Sequence, residues 1–368
     1  MRKVLAIFLL LASGLFSSCH FARMLIWNFP DIRDAKKFPK MEIPKGDNPF
    51  VFFAAEKNSP VILPKDTSQE YREYDFEELL KKTKTVAFIV IRNDSILYQQ
   101  YLNGYSESSV IPSFSMAKSF VSMLAGIAID EGAIKSIHDP ITNYLPELTN
   151  PGFEKITIKN LLNMRSGIAF NESPANPFGD VAKYYYGDNL KKYITKLKVA
   201  KKAGHTFEYK SVNAQLLAMI VERATHKPLA EYMEEKVWQY IGAEYDASWS
   251  IDSRKNKEAK AFCCFNARPL DFAKLGRLYL HKGNWNGRQV VSEKWVKESL
   301  DVSTKRNRKM YSYMWWHTNG SNGRDFFAQG LMGQYVYVYP EKNIIIVRLG
   351  KKYGIYWLTL LRSIAEAN

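Results

Sequence analysis

Cysteine is scarce in this sequence, whose 368 residues include only Cys19, Cys263 and Cys264. Neighbouring cysteines rarely bridge each other, and no Cys-x-x-Cys motif or His/Cys cluster has the spacing of a zinc site. The sequence therefore predicts no disulfide framework and no metal. Cys263 and Cys264 lie within an apolar run and are interpreted as small buried hydrophobic residues.

The chain also lacks nucleic-acid-binding motifs, despite a formal net charge of +15. Apart from one basic run at 305–309, Lys and Arg are spread along the sequence, which is typical of a solvated surface. Nucleic acid is therefore not an expected partner, whereas a weak attraction to anionic lipid or cell wall stays open. Apolar residues make up 46% of the chain, enough for the substantial core of a globular protein.

No apolar run near the N-terminus is long enough to span a bilayer comfortably. Two basic residues precede an apolar run from Val4 to Leu15, and small residues follow it, which predicts a secretory signal peptide over 1–18. The segment from Leu15 to Cys19 resembles a bacterial lipobox, in which cleavage leaves an acylated cysteine. We expect a secreted, periplasmic or cell-surface lipoprotein held on a bacterial membrane by Cys19; an uncleaved anchor and plain secretion are the alternatives.

Much of the segment 19–70 is rich in Pro, Lys and Asp and shows no sustained period, so it predicts an extended lead-in over the surface. The remaining residues, 71–368, predict one domain. Its expected parts are a sheet at about 71–110 and 300–368, and a helical region at about 111–299.

Strand patterns stand at both ends of this domain, with helical patterns between them. Strands are predicted at 85–91, 95–98, 311–317, 335–339 and 343–349. Helices are predicted at 115–131, 211–224 and 356–365. The patterns predict an α/β (α+β) fold, in which an antiparallel sheet built from both termini is flanked by helices and carries an inserted, mostly helical subdomain.

Ser115 and Lys118 are the candidates for chemistry, at the start of a helix that is apolar nearly all round. A serine hydroxyl is a poor nucleophile at neutral pH and needs a base within hydrogen-bond reach. Residues three apart lie on one helical face, and of all the serines only Ser115 has a lysine at that spacing. Burial should lower the pKa of Lys118 towards a value useful for proton transfer, while the helix dipole favours Ser115 as the nucleophile.

Several sequence landmarks occur together with this pair in a fixed order. From about Asp75 to the C-terminus, the chain resembles the class C β-lactamase and penicillin-binding-protein superfamily, and most closely its esterase and 6-aminohexanoate-dimer hydrolase branch. Several landmarks in order are far more specific than any one of them. They are Ser115-Met116-Ala117-Lys118, Leu161 to Ile168, Phe207 to Asn213, Trp238 to Gly242, Asp271 to Gly276 and Gly330 to Gln334.

The resemblance implies roles for individual residues. It makes Ser115 the nucleophile, Lys118 its proton-abstracting neighbour and Tyr209 the group that relays a proton to the leaving group. It also places the two donors to the oxyanion at the backbone N–H groups of Ser115 and Leu331, the second on a strand entered at Gly330.

Two further residues are candidate substrate contacts. Ser211 stands where β-lactamases usually carry an asparagine that contacts the substrate amide; the alternative is that it only caps the following helix. The segment 171–193 predicts a long loop over the cleft. From this loop Tyr185 is expected to touch the substrate, with ordinary packing as the alternative.

One departure from the resemblance concerns the substrate. Where β-lactamases and transpeptidases carry Lys-Thr-Gly to hold a substrate carboxylate, this chain has Ala328-Gln329-Gly330. We therefore expect hydrolysis of an ester or amide in a small-molecule or short peptide-like substrate, through an acyl-enzyme on Ser115 and without a cofactor. The alternatives are a non-catalytic or slowly acylated penicillin-binding or sensor lipoprotein, and a true β-lactamase or D-peptidase.

Mass spectrometry of the mature protein from its native host should find acylated Cys19 as the first residue, because lipobox cleavage leaves the cysteine at the N-terminus. A Cys19→Ala variant is the control and should carry no lipid. An intact Met1, or cleavage elsewhere with a free Cys19 thiol, would contradict the prediction.

Overall fold

The computed structural model describes residues 23–24, 29–54, 75–173, 176, 178–303 and 310–368. The predicted signal peptide and the predicted acylation site, Cys19, lie outside these ranges. None of the helices in the described ranges has both the length and the apolar character needed to cross a membrane.

Strands and helices follow one another along the described chain. The strands are β1 (Lys40–Ile43), β2 (Phe53–Ala54), β3 (Thr85–Arg92), β4 (Ser95–Tyr101), β5 (Ile111–Pro112), β6 (Ile168–Ala169), β7 (Lys198–Val199), β8 (Ala247–Ser250), β9 (Phe265–Ala267), β10 (Asn284–Trp285), β11 (Arg288–Gln289), β12 (Tyr311–Ser312), β13 (Trp315–Trp316), β14 (Phe326–Gly330), β15 (Gln334–Tyr339) and β16 (Ile344–Gly350). The helices are α1 (Phe76–Lys82), α2 (Ala117–Asp130), α3 (Ile158–Leu162), α4 (Asp180–Tyr186), α5 (Leu190–Ile194), α6 (Val212–Thr225), α7 (Leu229–Met233), α8 (Pro269–Leu280), α9 (Glu293–Ser299) and α10 (Trp357–Ala367). Short 3₁₀ turns include Phe114–Met116 and Leu331–Gly333.

The larger sheet joins the two ends of the domain. Its strands lie in the order β12-β13-β14-β15-β16-β3-β4-β2. At its centre β16 pairs antiparallel with β3, with Ile344 opposite Arg92, and only β2 runs parallel to its neighbour. The predicted α/β fold, with an antiparallel sheet assembled from both termini, is confirmed.

Helices cover both faces of this sheet. Since successive side chains of a strand point to opposite faces, each central strand contributes side chains to two cores. In β3, Ile89 and Ile91 pack in the core that contains α2 and α8, whereas Phe88 and Val90 pack with α1 and α10. A strand buried on both sides reads as a continuous apolar run rather than an alternating one, which is how residues 85–91 appear in the sequence.

The helix predicted at 115–131 is buried, as expected. It begins as the 3₁₀ turn Phe114–Met116 and continues as α2, in which every residue from Ala117 to Ala128 is buried. Its start therefore lies inside the protein, where a polar side chain needs a partner.

Three segments differ from the sequence predictions. Residues 29–54, expected as a surface lead-in, contribute β1 and β2 and bury Ile32, Phe38, Ile43 and Phe52. The strand predicted at 311–317 is two short strands, and the loop predicted at 171–193 contains α4 and α5. Elements this short complete too few turns or alternations to produce a readable period.

Cys263 and Cys264 form a disulfide bond, so the prediction that they stay unbridged is wrong. Side chains of neighbouring residues point to opposite sides of an extended chain. Here the chain turns, with a φ of 70° at Cys264, and the two side chains meet. Their predicted burial is confirmed, at 4% and 3% exposed.

Gly126 provides the contact between α2 and α9. A Cβ atom at this position would lie 2.4 Å from three atoms of the Trp295 ring. Since Trp295 is itself buried, the ring has little room to move. Glycine is therefore required by packing, although it is unfavourable inside a helix.

The substitution Gly126→Ala should lower the free energy of unfolding by about 1–3 kcal/mol, the usual effect of overpacking a core. Urea denaturation measures this change. Ser122→Ala, in the same helix, is the matched control: its buried hydroxyl has no hydrogen-bond partner among the described residues, and the change should stay within about 0.5 kcal/mol. Equal stability of Gly126→Ala and wild type would contradict the packing argument.

Candidate active site

Ser115 lies in the turn between β5 and α2, and the smaller sheet holds this turn in place. The sheet has the order β1-β8-β9-β5, and the backbone N–H of Ser113 donates to the carbonyl of Phe265 in β9 at 2.7 Å. Phe114 has a φ of 45°, in the left-handed region that non-glycine residues rarely adopt. Such backbone conformations cluster at functional sites.

Lys118 points from the first turn of α2 towards Ser115. Its Nζ donates to Ser115 Oγ at 2.7 Å and to the carbonyl of Phe262 at 2.8 Å, and the residue is 1% exposed. Burial lowers the pKa of Lys118 to about 8, and the negative charge of Glu172 acts in the opposite direction. The lowered pKa makes the neutral amine of Lys118, which can accept a proton, more accessible near neutral pH.

Tyr209 completes the group of residues around Ser115. Its ring centre lies 5.1 Å from Lys118 Nζ, and its ring packs against Trp316. Burial raises the pKa of Tyr209 well above its ordinary value, and a hydrogen bond with the Ser115 side chain acts in the opposite direction. Tyr209 is therefore a neutral phenol at neutral pH. The three residues predicted to act together do lie together.

A cavity of about 480 Å³ opens over Ser115, within the range of small-molecule sites. Its walls are mainly apolar and aromatic. The lining residues are Met24, Pro30, Phe114, Ser115, Glu172, Val181, Ala182, Tyr185, Tyr186, Tyr209, Ser211, Phe262, Cys263, Trp316, Gln329, Gly330, Leu331 and Tyr353. Within the described part of the chain, Glu172 is the lining residue that can carry a full charge.

Gly330 and Leu331 border the same cavity as Ser115. Gly330 is the last residue of β14, not the first residue of a strand, and Leu331 begins a 3₁₀ turn. A Cβ atom on Gly330 would lie 2.3 Å from the carbonyl oxygen of Ser113. Glycine thus lets the strand end approach the turn that carries the nucleophile.

Arg348 holds the turn that follows Gly330, a role that the sequence analysis missed. Its guanidinium is buried and donates to the carbonyls of Met332 and Gly333, both at 2.7 Å. It also donates to the Thr83 carbonyl at 3.1 Å, and burial lowers its pKa to about 9. These hydrogen bonds link β16 to the backbone beside the cavity. They also engage the guanidinium of Arg348 within the protein.

Ser211 lines the cavity, and its side chain is hydrogen-bonded to Glu172. No sequence motif had indicated Glu172 as a residue of the site. The Ser211 hydroxyl donates to Glu172 Oε1 and the Ser211 backbone N–H donates to Oε2 at 2.6 Å. At the N-cap position of α6, the Ser211 side chain makes no capping hydrogen bond. Burial raises the pKa of Glu172, while the charge of Lys118 and the bonds from Ser211 lower it.

Tyr185 also lines the cavity, from α4 rather than from the predicted loop. It is 6% exposed, and its hydroxyl donates to Asp34 in the N-terminal segment. Its ring packs edge-on against Phe38, with the ring centres 5.1 Å apart. The hydroxyl is therefore engaged within the protein, and only the ring is left to contact a substrate.

A cation that could hold a substrate carboxylate is missing from the described lining of the cavity. In β14, Ala328 is fully buried, and the Gln329 amide donates to the Tyr335 hydroxyl at 3.0 Å. Arg165 and Arg324 donate to backbone carbonyls and do not line this cavity. Nor do the described ranges contain a group of His, Cys, Asp or Glu residues that could hold a metal ion.

The chain is similar in sequence to known proteins. Residues 75–250 match the family model described as Beta-lactamase. A 6-aminohexanoate-dimer hydrolase from Paenarthrobacter ureafaciens is 29% identical over 297 residues, which cover 75% of this chain and 74% of that protein.

Two solved structures share the fold. A Bacillus anthracis structure that carries the same 6-aminohexanoate-dimer hydrolase name has a TM-score of 0.79 and 24% identity, and the match covers 93% of this chain and 92% of that one. A penicillin-binding protein from Bacillus halodurans has a TM-score of 0.65 and 17% identity, over 80% of this chain and all (100%) of that one. The resemblance seen in the sequence landmarks is confirmed: the chain has the β-lactamase/transpeptidase fold, its residues 75–250 match the Beta-lactamase family model, and a 6-aminohexanoate-dimer hydrolase is among its homologues.

Proposed function

We propose that this protein is a serine hydrolase that cleaves an ester or amide bond of a small-molecule or short peptide-like substrate through an acyl-enzyme on Ser115. The observation that carries the proposal is the buried amine of Lys118, 2.7 Å from Ser115 Oγ beside an open cavity. A nucleophile beside a base of lowered pKa is what covalent catalysis by serine requires.

Each of the three residues takes one step in acylation. The neutral amine of Lys118 accepts the proton of Ser115 as Oγ attacks the substrate carbonyl. The developing oxyanion lies between the backbone N–H groups of Ser115 and Leu331. The phenol of Tyr209 then donates its proton to the leaving group and regains one from Lys118. Water releases the acyl group by the same steps in reverse order.

The charges around the cavity favour an uncharged acyl group. A β-lactam antibiotic carries a carboxylate, and Ala328 and Gln329 offer that carboxylate no positive charge. A negative charge on Glu172 would oppose its approach. The name of the Paenarthrobacter relative adds the amide bond of a 6-aminohexanoate dimer to the candidate substrates, as an alternative to an uncharged acyl group.

Ser115→Ala should abolish both acyl-enzyme formation and labelling by a fluorophosphonate probe. Lys118→Ala and Tyr209→Phe should each lower turnover at least about 10²-fold, the lower range for loss of a general acid or base. Ser122→Ala, which removes a buried hydroxyl of α2 that does not line the cavity, is the matched control and should keep wild-type turnover. Near wild-type hydrolysis by folded Ser115→Ala would refute the mechanism, and a wild type that is neither labelled nor active would favour the sensor alternative.

Penicillins and cephalosporins should be turned over slowly or not at all, whereas p-nitrophenyl butyrate should be clearly hydrolysed. Charge-assisted hydrogen bonds to a carboxylate contribute roughly 1.5–3 kcal/mol each, so loss of two reduces kcat/KM about 10²- to 10⁴-fold. The test compares kcat/KM for nitrocefin and for the butyrate ester on one preparation, with Ser115→Ala as the blank. Nitrocefin turnover at the rate of an efficient β-lactamase would rule out the esterase-like function.

A further inference from the structure

The disulfide between Cys263 and Cys264 lies beside the proposed nucleophile. Cys263 lines the cavity, and the mechanism described above uses neither sulfur. Cys263 borders the cavity but is only 4% exposed, so reduction of the bridge requires a small reagent that enters the cavity.

The bridged dipeptide lies between two carbonyl groups that hold the catalytic residues. On one side, the carbonyl of Phe262 accepts the hydrogen bond from Lys118 Nζ at 2.8 Å. On the other side, the carbonyl of Phe265 accepts the bond from the backbone N–H of Ser113, two residues before the nucleophile. A change in the backbone of the dipeptide therefore reaches both the lysine and the serine.

The surrounding residues hold the dipeptide in one conformation. The Cys263 carbonyl accepts a hydrogen bond from the Trp249 indole at 3.1 Å, and the Cys264 carbonyl accepts one from the Ser250 N–H at 2.9 Å. Cys264 has a left-handed φ, which is unfavourable for a residue with a Cβ atom. A bridge between adjacent residues closes a small covalent ring, so cleavage allows Cys264 to leave this conformation.

We infer that the Cys263–Cys264 disulfide positions Lys118 through the carbonyl of Phe262, and that reduction of the disulfide by a dithiol slows hydrolysis. This inference rests on the proposed serine-hydrolase function. Disulfides persist in oxidising compartments, in agreement with the export that the N-terminal sequence predicts.

The reduction follows ordinary thiol–disulfide exchange. A thiolate of the dithiol attacks one sulfur of the bridge, and the other sulfur leaves as a thiolate and takes up a proton. The second thiol of the reagent, as its thiolate, then attacks the mixed disulfide, closes the disulfide of the reagent and releases the remaining cysteine as a thiol. The protein gains two electrons and two protons, and the dithiol loses them.

The experiment compares the full-length protein before and after treatment with dithiothreitol, which is removed anaerobically before assay. Reduction should expose two additional thiols per chain and lower kcat/KM for p-nitrophenyl butyrate about tenfold, since a misplacement of about 1 Å in a catalytic group costs up to 10²-fold. Reoxidation should restore the activity.

The pH profile separates a positioning role from a merely structural one. Burial lowers the pKa of Lys118, and a loosened dipeptide admits water to the amine. The acidic limb of kcat/KM should therefore move to higher pH on reduction. Glu172 and Tyr209 also face Lys118, and reduction adds the ionisable thiols of Cys263 and Cys264. A variant that lacks both cysteines therefore has to show the same shift of the acidic limb.

The double variant Cys263→Ala/Cys264→Ala has no bridge to lose, so it should match the reduced wild type and show no response to dithiothreitol. Cys19→Ala, which removes the third cysteine of the chain and leaves the bridge intact, should keep the full response. Circular dichroism in the near ultraviolet reports whether each form is folded.

Equal kcat/KM and equal pH limbs in the two redox states, with two thiols gained, would overturn the inference. Failure to gain the thiols would do so as well, and so would a loss of activity accompanied by loss of the folded signal. If neither state shows hydrolysis that depends on Ser115, the proposed function fails and this inference fails with it.

Discussion

The buried amine of Lys118 is the feature on which the rest of the site depends. Placing an ammonium group away from water is unfavourable unless polar groups receive it. Ser115 Oγ and the carbonyl of Phe262 do so, and the remaining cost appears as a pKa lowered to about 8. The burial that destabilises the cation thereby yields an amine able to take a proton from serine near neutral pH.

Both sheets contact the turn that carries Ser115, and these contacts keep the amine of Lys118 beside the serine. The smaller sheet holds the residues before Ser115 through β5 and β9, and the end of β14 in the larger sheet approaches so closely that only glycine fits at Gly330. Arg348 then ties the next turn to the neighbouring strand. No single segment could form the site alone, since these parts come from distant stretches of the chain.

Under the proposed function, the charges around the cavity above this turn would determine its selectivity. Apolar and aromatic side chains form most of its walls, Glu172 is held by Ser211, and the strand beside the nucleophile carries an alanine and a glutamine. An acyl group without charge can lose its water here with little penalty, whereas a carboxylate would lose water without gaining a cation. The fold is shared with proteins of several activities, so under the proposed function these side chains, and not the fold, would determine the substrate.

The spacing of Ser115 and Lys118 in the sequence was sufficient to predict that the two side chains meet, because residues three apart on a helix lie on one face. The central strands at 85–91 and 343–349 could also be predicted, because each is a long apolar run in the sequence. Glu172 and Ser211, 39 residues apart, meet only after folding. The disulfide between Cys263 and Cys264 likewise depends on a turn of the backbone, which no periodic pattern of apolar residues predicts. Export through Cys19 remains a prediction. Contacts between distant residues, and backbone conformations imposed by those contacts, leave no periodic trace in a sequence.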